Sequence, residues 1–221
     1  MSERIVAVVP LRSFRNGKTR LAPVLSREER GALLRRSAAG VIAAALDSGV
    51  VETVLVISPD SDALEWAAQL GPDVVSLEQP EAMPGLNGAI AAGREWALAR
   101  GAEAMLSLFA DLPWLSADEL GDLTAHGEAV VLGPDRRGDG TNALLLRLAG
   151  NGRHFRFAFG DDSLTRHREE ALRLGLPVAL QEAHGIGFDL DTPQDLIDFL
   201  AAAGEGCMER PLASPCALGA A

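Results

Sequence analysis

The sequence predicts an α/β fold with a mixed, mainly parallel sheet and helices on both faces. Three observations carry that expectation. Short, continuous apolar runs recur along the chain, as strands buried on both faces require. The stretches between them are helical in pattern, and two open with capping boxes. Strand and helix alternate from residue 4 to about 125, which right-handed βαβ crossovers turn into a parallel sheet.

Each element has its own signal. Arg4 to Pro10 is an apolar run closed by proline. Ser26-Arg27-Glu28-Glu29 is a capping box whose helix runs to about Ser48-Gly49. Thr53 to Ser58 is a second buried strand, Ala63 to Leu70 is helical, and Val74 to Leu77 is a third strand. Leu86 to Ala99 is an Ala-rich helix, Met105 to Ala110 a fourth strand, and Ser116-Ala117-Asp118-Glu119 a second capping box. Glu128 to Leu132 and Asn142 to Leu148 read as strands around a polar, Gly-rich turn. Ser163 to Leu174 is helical and Pro177 to Gln181 is a strand. Thr192-Pro193-Gln194-Asp195 starts a last helix, reaching about Ala203, with an N-cap, an N1 proline and an acidic first turn. Residues 1–203 therefore read as one domain, and residues 204–221, aperiodic and rich in Pro, Gly and Ala, as a disordered tail.

Composition narrows the function. The 221 residues hold 20 Lys+Arg against 31 Asp+Glu, a net charge of −11, which argues against nucleic acid or an anionic membrane as partner. Tyr is absent and aromatics make up 5%, which weakens any base-stacking surface. Cys207 and Cys216 form neither a disulfide framework nor a zinc set. No leader pattern and no membrane-length apolar run are seen, so a soluble, cytoplasmic protein is expected.

In an open α/β sheet, ligands bind where loops leave the carboxyl ends of the strands. The loop after the first strand, Leu11 to Leu21, holds Arg12, Arg15, Lys18 and Arg20 and no acid. A cationic loop in an acidic chain suggests a polyphosphate site, although a solvated basic loop paired with carboxylates elsewhere would look the same. Gly17-Lys18-Thr19 resembles the end of a P-loop, but Arg12 stands where the first glycine belongs, which excludes that motif. Asp111, at the tip of the fourth strand, is either a loop cap or a ligand for Mg²⁺ on a triphosphate, where one or two carboxylates suffice. Asp189 and Asp191 lie two residues apart in an extended segment, so both side chains share a face.

Gly85-Leu86-Asn87-Gly88 is a turn that could approach a base or ribose, or simply cap a helix. Gly140-Thr141-Asn142 and Phe159-Gly160 with Ser163 pair backbone freedom with hydroxyls, suiting a second small anion, while Ser163 could equally be an N-cap. His126, His154, His167 and His184 show no metal-ligand spacing and read as surface or structural. Gly-x-Ser-x-Gly, His-Glu-x-x-His and Cys-x-x-Cys are all missing, so acyl transfer, zinc hydrolysis and dithiol chemistry are unsupported.

Taken in order, Val8-Val9-Pro10, Gly17-Lys18-Thr19-Arg20-Leu21, Gly85-Leu86-Asn87, Ala110-Asp111-Leu112-Pro113, Gly140-Thr141-Asn142-Ala143, Phe159-Gly160 with Ser163, and Gly187 to Asp191 carry a resemblance. Over about residues 4 to 200 the chain resembles the 2-phospholactate/phosphoenolpyruvate guanylyltransferases of coenzyme F-420 biosynthesis. The resemblance implies a Rossmann-like, glycosyltransferase-A-like nucleotidyltransferase domain. The implied reaction joins the GMP moiety of GTP to a phosphorylated three-carbon acid (phosphoenolpyruvate, 2-phospho-L-lactate or 3-phosphoglycerate) and releases pyrophosphate.

It further implies that Lys18 and Arg20 hold the triphosphate, with Asp111 completing the catalytic set. Asp111, Asp189 and Asp191 would carry Mg²⁺; Arg12, Gly85 and Asn87 would bind the nucleotide; Thr141, Gly160 and Ser163 would bind the phosphorylated acid. The expected partners are thus small molecules, with no nucleic acid and no membrane, and with room for a homodimer. One departure stands out: Arg12 replaces a usual lysine, a fork-shaped cation for a point charge. The competing readings are a molybdopterin- or sugar-type nucleotidyltransferase, whose first loop should be richer in glycine, and a non-catalytic nucleotide-binding module.

Overall fold

The computed structural model describes residues 3–206. Among them, seven strands form one sheet: β1 (Ile5–Pro10), β2 (Val51–Ser58), β3 (Val74–Glu78), β4 (Ala104–Leu108), β5 (Val130–Pro134), β6 (Thr141–Arg147) and β7 (Val178–Leu180). Their spatial order is β3-β2-β1-β4-β6-β5-β7. β1 pairs parallel with both β2 and β4, and β2 pairs parallel with β3. β6 runs antiparallel to both β4 and β5, because β5 and β6 are joined by a turn rather than a crossover helix, and β7 is parallel to β5.

The helices are α1 (Arg27–Asp47), α2 (Ser61–Ala67), α3 (Gly85–Ala99), α4 (Ala117–Ala125), α5 (Ser163–Leu174), the single turn α6 (His184–Gly187) and α7 (Pro193–Gly206). Both sequence-read capping boxes form, at Ser26 with Glu29 and at Ser116 with Glu119. Such caps typically stabilise a helix by about 1 kcal/mol each. Alternation along β1 divides the core. Ile5, Ala7 and Val9 pack toward α1, α2 and α4, whereas Val6 and Val8 pack toward α3 and α5. The three-layer arrangement buries each valine of β1, a stabilisation of about 1.5–3 kcal/mol per side chain. α3 sits close against the sheet because Gly93 faces it: a Cβ there would meet Val8 Cγ1 at 2.6 Å.

Several boundaries differ from the sequence reading. β4 stops at Leu108, two residues early, so Phe109 and Ala110 already belong to the site loop, and α2 ends at Ala67 rather than Leu70. α7 continues to Gly206, so the first three residues assigned to the tail are helical; the rest of it, with Cys207 and Cys216, lies outside the described residues. Among the described residues, no helix is long and apolar enough to cross a membrane.

The strand order has a direct consequence. Chain order leads from β1 to β2 and β3 on one side, and β4 lies on the other. The gap between the loops leaving β1 and β4 is therefore a topological switch point, where open α/β sheets form ligand crevices.

Candidate active site

Lys18 is delivered by the loop after β1 and Asp111 by the loop after β4, so both arrive at this crevice. Leu190 N donates to Asp111 O at 3.1 Å, which lays the 189–191 segment alongside. Phe188 and Leu190 are buried with Leu21 and Phe199. By alternation, that leaves Asp189 and Asp191 on the face toward Asp111. The segment is braced from behind: Asp195 accepts from Asp191 N at 2.9 Å and Thr192 N at 2.6 Å, and Arg136 pairs with Asp195. Asn142 Nδ2 adds a bond to Ile186 O at 2.9 Å.

At the centre, the Lys18 ammonium donates to Asp111 Oδ2 and, at 2.8 Å, to Asp191 Oδ1. Its side chain is only 6% exposed. Burial is the largest single influence on Lys18 and favours the neutral amine, but the charges of Asp111 and Asp191 and the bonds to both outweigh it. The net result holds its pKa above the ordinary 10.5. Asp189 is shifted upward, first by burial and then by the negative charges of Asp111 and Asp191. Two carboxylates therefore pair with one buried cation while Asp189 faces both of them, and Asp111 Oδ1 is buried with no hydrogen-bond partner among the described residues. The backbone of Lys18 is also unusual, with φ 52° in the left-handed region. Strain of that kind typically costs 1–3 kcal/mol and gathers at functional sites. Arg20 reaches Asp191 at 3.6 Å but is 72% exposed, so this pair adds little.

A second cluster forms where β6 begins. Gly133 pairs with Ala143 but Pro134 pairs with Thr141, so Asn142 is an extra residue in the ladder. Such a bulge re-aims side chains: Thr141 meets His167 of α5 at 3.1 Å, while Asn142 turns to Ile186. Leu164 N donates to Asp139 O and Ser163 N to Gly160 O, drawing Thr141, Gly160 and Ser163 into one neighbourhood. The N-cap reading of Ser163 is corrected here. Asp162 occupies the N-cap with φ 53° and no side-chain cap, so Ser163 is the first helical residue and its hydroxyl is not used in capping. Phe109 links the clusters: its N–H donates to Asn142 O and its ring lies 5.2 Å from that of Phe159.

Asn87 is a strap rather than a free amide. Its Nδ2 donates to Phe159 O at 3.1 Å and its Oδ1 accepts from Phe159 N at 2.8 Å, tying the start of α3 to the Gly160 turn. Gly85 opens α3 with φ 75°, and its carbonyl accepts from Gln79 Nε2. The start of α3 has neither a side-chain cap nor an acidic residue in its first turn, so its positive end is left uncompensated there. Arg12 is exposed and forms no ion pair with the carboxylate cluster among the described residues. His167, Asn142, Arg136 and Asp195 were not singled out as site residues from sequence. Asp195 is legible in sequence as the acidic first turn of the last helix and Asn142 as part of the Gly140 to Ala143 motif, while the signal for His167 is its position one helical turn after Ser163.

The family described as "Guanylyl transferase CofC like" matches residues 5–211. A phosphoenolpyruvate guanylyltransferase of Sphaerobacter thermophilus is 38% identical over 203 residues, 91% of this chain and 95% of the relative. The chain belongs to the CofC-like guanylyl transferase family. A 2-phospho-L-lactate guanylyltransferase of Methanothermobacter thermautotrophicus is 32% identical over 206 residues, 92% of this chain and 87% of the relative. Solved structures show the same fold. A nucleotidyl transferase from the same organism has TM-score 0.66 at 18% identity over 91% of this chain and 98% of its own. CMP:2-keto-3-deoxy-manno-octonic acid synthetase has TM-score 0.63 at 13% identity, with 92% and 99% covered. This CofC-like chain is thus an enzyme of the nucleotidyltransferase type.

The donor set suits a hard divalent cation in one respect. Asp111 Oδ1 lacks a partner and three acids face one another, all with oxygen ligands. Among the described residues, however, no group of three acidic, His or Cys side chains is close enough to hold an ion unaided. An ion in this crevice would therefore draw its remaining ligands from phosphates and water, as magnesium commonly does.

Proposed function

We propose that this CofC-like enzyme transfers the GMP moiety of GTP to a phosphorylated three-carbon acid, releasing pyrophosphate, in coenzyme F-420 biosynthesis. The observation that carries this reading is the buried Lys18 held between Asp111 and Asp191 at the switch point of the sheet. Both curated relatives named above are guanylyltransferases of such acids, phosphoenolpyruvate and 2-phospho-L-lactate.

The chemistry balances without a general base. An anionic phosphate oxygen of the acid forms a bond to the α-phosphorus of GTP, the α–β bridging P–O bond breaks, and pyrophosphate leaves with that electron pair. Two anions must meet, so the protein's task is charge neutralisation and in-line positioning. Lys18 supplies a buried positive charge to the triphosphate, with Arg20 and Arg12 at the exposed rim. Thr141, Ser163 and the Gly160 turn receive the acid. Asp111, with at least one of Asp189 and Asp191, would hold Mg²⁺, which when bound offsets phosphate charge. Gly85 and the uncapped start of α3 would lie against the guanosine, with Asn87 fixing that turn rather than reading the base.

A pyrophosphate-release assay with Mg²⁺, comparing GTP with ATP, CTP and UTP and testing phosphoenolpyruvate, 2-phospho-L-lactate and 3-phosphoglycerate, tests the reading. Turnover should require GTP and one of these acids, and Asp111→Asn should lower it at least about a hundredfold. Failure with all three acids sinks the assignment.

A further inference from the structure

His167 lies in the interior, fully buried on α5, with the Phe159 ring edge-on at 4.5 Å and the Phe155 ring at 5.9 Å. Its two ring nitrogens have different neighbours, and these determine where its proton sits. Ala158 N lies 3.0 Å from Nε2, and a backbone N–H can only donate. Nε2 must therefore be the lone-pair nitrogen, the proton must sit on Nδ1, and Nδ1–H donates to Thr141 Oγ1 at 3.1 Å. With one acceptor position of Thr141 filled, the hydroxyl proton has to point away from the imidazole. Burial depresses the His167 pKa to about 4, so the ring remains neutral and this polarity does not reverse near neutral pH. The same ring spans three segments: Thr141 from β6, Ala158 beside the Gly160 turn, and α5 itself, one turn after Ser163.

We propose that His167 is a positioning residue for the phosphoacid subsite: its Nδ1–H fixes the Thr141 hydroxyl as a donor toward an anionic oxygen, while its Nε2 anchors the irregular segment leading to Gly160. The inference rests on the reading that Thr141, Gly160 and Ser163 receive the phosphorylated acid. It extends that reading to specificity, because an oriented hydroxyl donor favours an anion and disfavours a ligand that offers only donors.

Asn and Gln replacements separate positioning from simple packing. His167→Asn places an amide near the Nδ1 position and can keep the bond to Thr141. His167→Gln places it near Nε2 and can keep the bond to Ala158. With phosphoenolpyruvate as probe, Gln should raise KM for the acid about tenfold or more with GTP KM nearly unchanged, and Asn should raise it much less. Adding Thr141→Val to the Gln variant should cause little further loss, because both changes remove one interaction. Equal effects of Asn and Gln, or effects that merely follow Tm, would overturn the proposal. Thr141→Val without effect on the acid would instead sink the subsite assignment. Long-range ¹H–¹⁵N correlation on the parent protein is a second test that needs no variant. A proton on Nδ1 is expected; a proton on Nε2 or a doubly protonated ring at neutral pH overturns the inference, whatever acid is turned over.

Discussion

Lys18→Met deletes the ammonium at the centre of the crevice while keeping an apolar stem of similar length. Removing one partner of a buried ion pair commonly costs 3–5 kcal/mol, roughly, because the other charge is stranded. Here the stranded groups are partly solvated: the Asp111 side chain is 23% exposed and that of Asp191 is 38% exposed. Screening should reduce the loss to about 2 kcal/mol near pH 7.5. For a domain of this size that is a fall of about 4–8 °C in Tm. The deficit should shrink as pH falls toward 5, because Asp189, whose pKa is raised by burial and by the charges of Asp111 and Asp191, takes up a proton and relieves the repulsion. Millimolar Mg²⁺ should restore more stability to the variant than it adds to the parent, because a divalent ion would take over the lost compensation. Urea unfolding at pH 5 and 7.5, with and without Mg²⁺, measures all three effects. A variant as stable as the parent at both pH values would refute the view that Lys18 offsets the carboxylate charge.

Two further outcomes follow from the second cluster. His167 titrates near 6.5 when unfolded and about 4 when folded. Its contribution to stability is therefore complete above pH 6.5 and lost as pH falls toward 4, at about 1.4 kcal/mol per pH unit. Urea unfolding between pH 4.5 and 6.5 should show a shallower pH dependence for His167→Asn, and parallel curves would contradict a neutral buried imidazole. Ser163→Ala should raise KM for the phosphorylated acid about tenfold and leave GTP binding intact; equal loss for both ligands, read by isothermal calorimetry and steady-state kinetics, would place Ser163 elsewhere.

Much of this protein can be read along the chain because the relevant physics is local. Buried β1 and β2 appear as continuous apolar runs, and the helices at Ser26 and Ser116 announce themselves by capping boxes. The same holds for Asp189 and Asp191, whose two-residue spacing within an extended segment commits them to one face. Other features depend on contacts between distant segments, which no local pattern encodes. The antiparallel insertion of β6 between β4 and β5 sets the sheet order. The extra residue at Asn142 depends on register with β5, and it turns Thr141 onto a histidine that spacing alone makes look ordinary. Asn87 looked free to meet a ligand until the fold set Phe159 against it, and Ser163 looked like a cap until Asp162 took that place. Residue types and their alternation are properties of neighbours in sequence. Which donor faces which acceptor is settled by packing, since every buried polar group must find its partner from whatever segment the fold brings near.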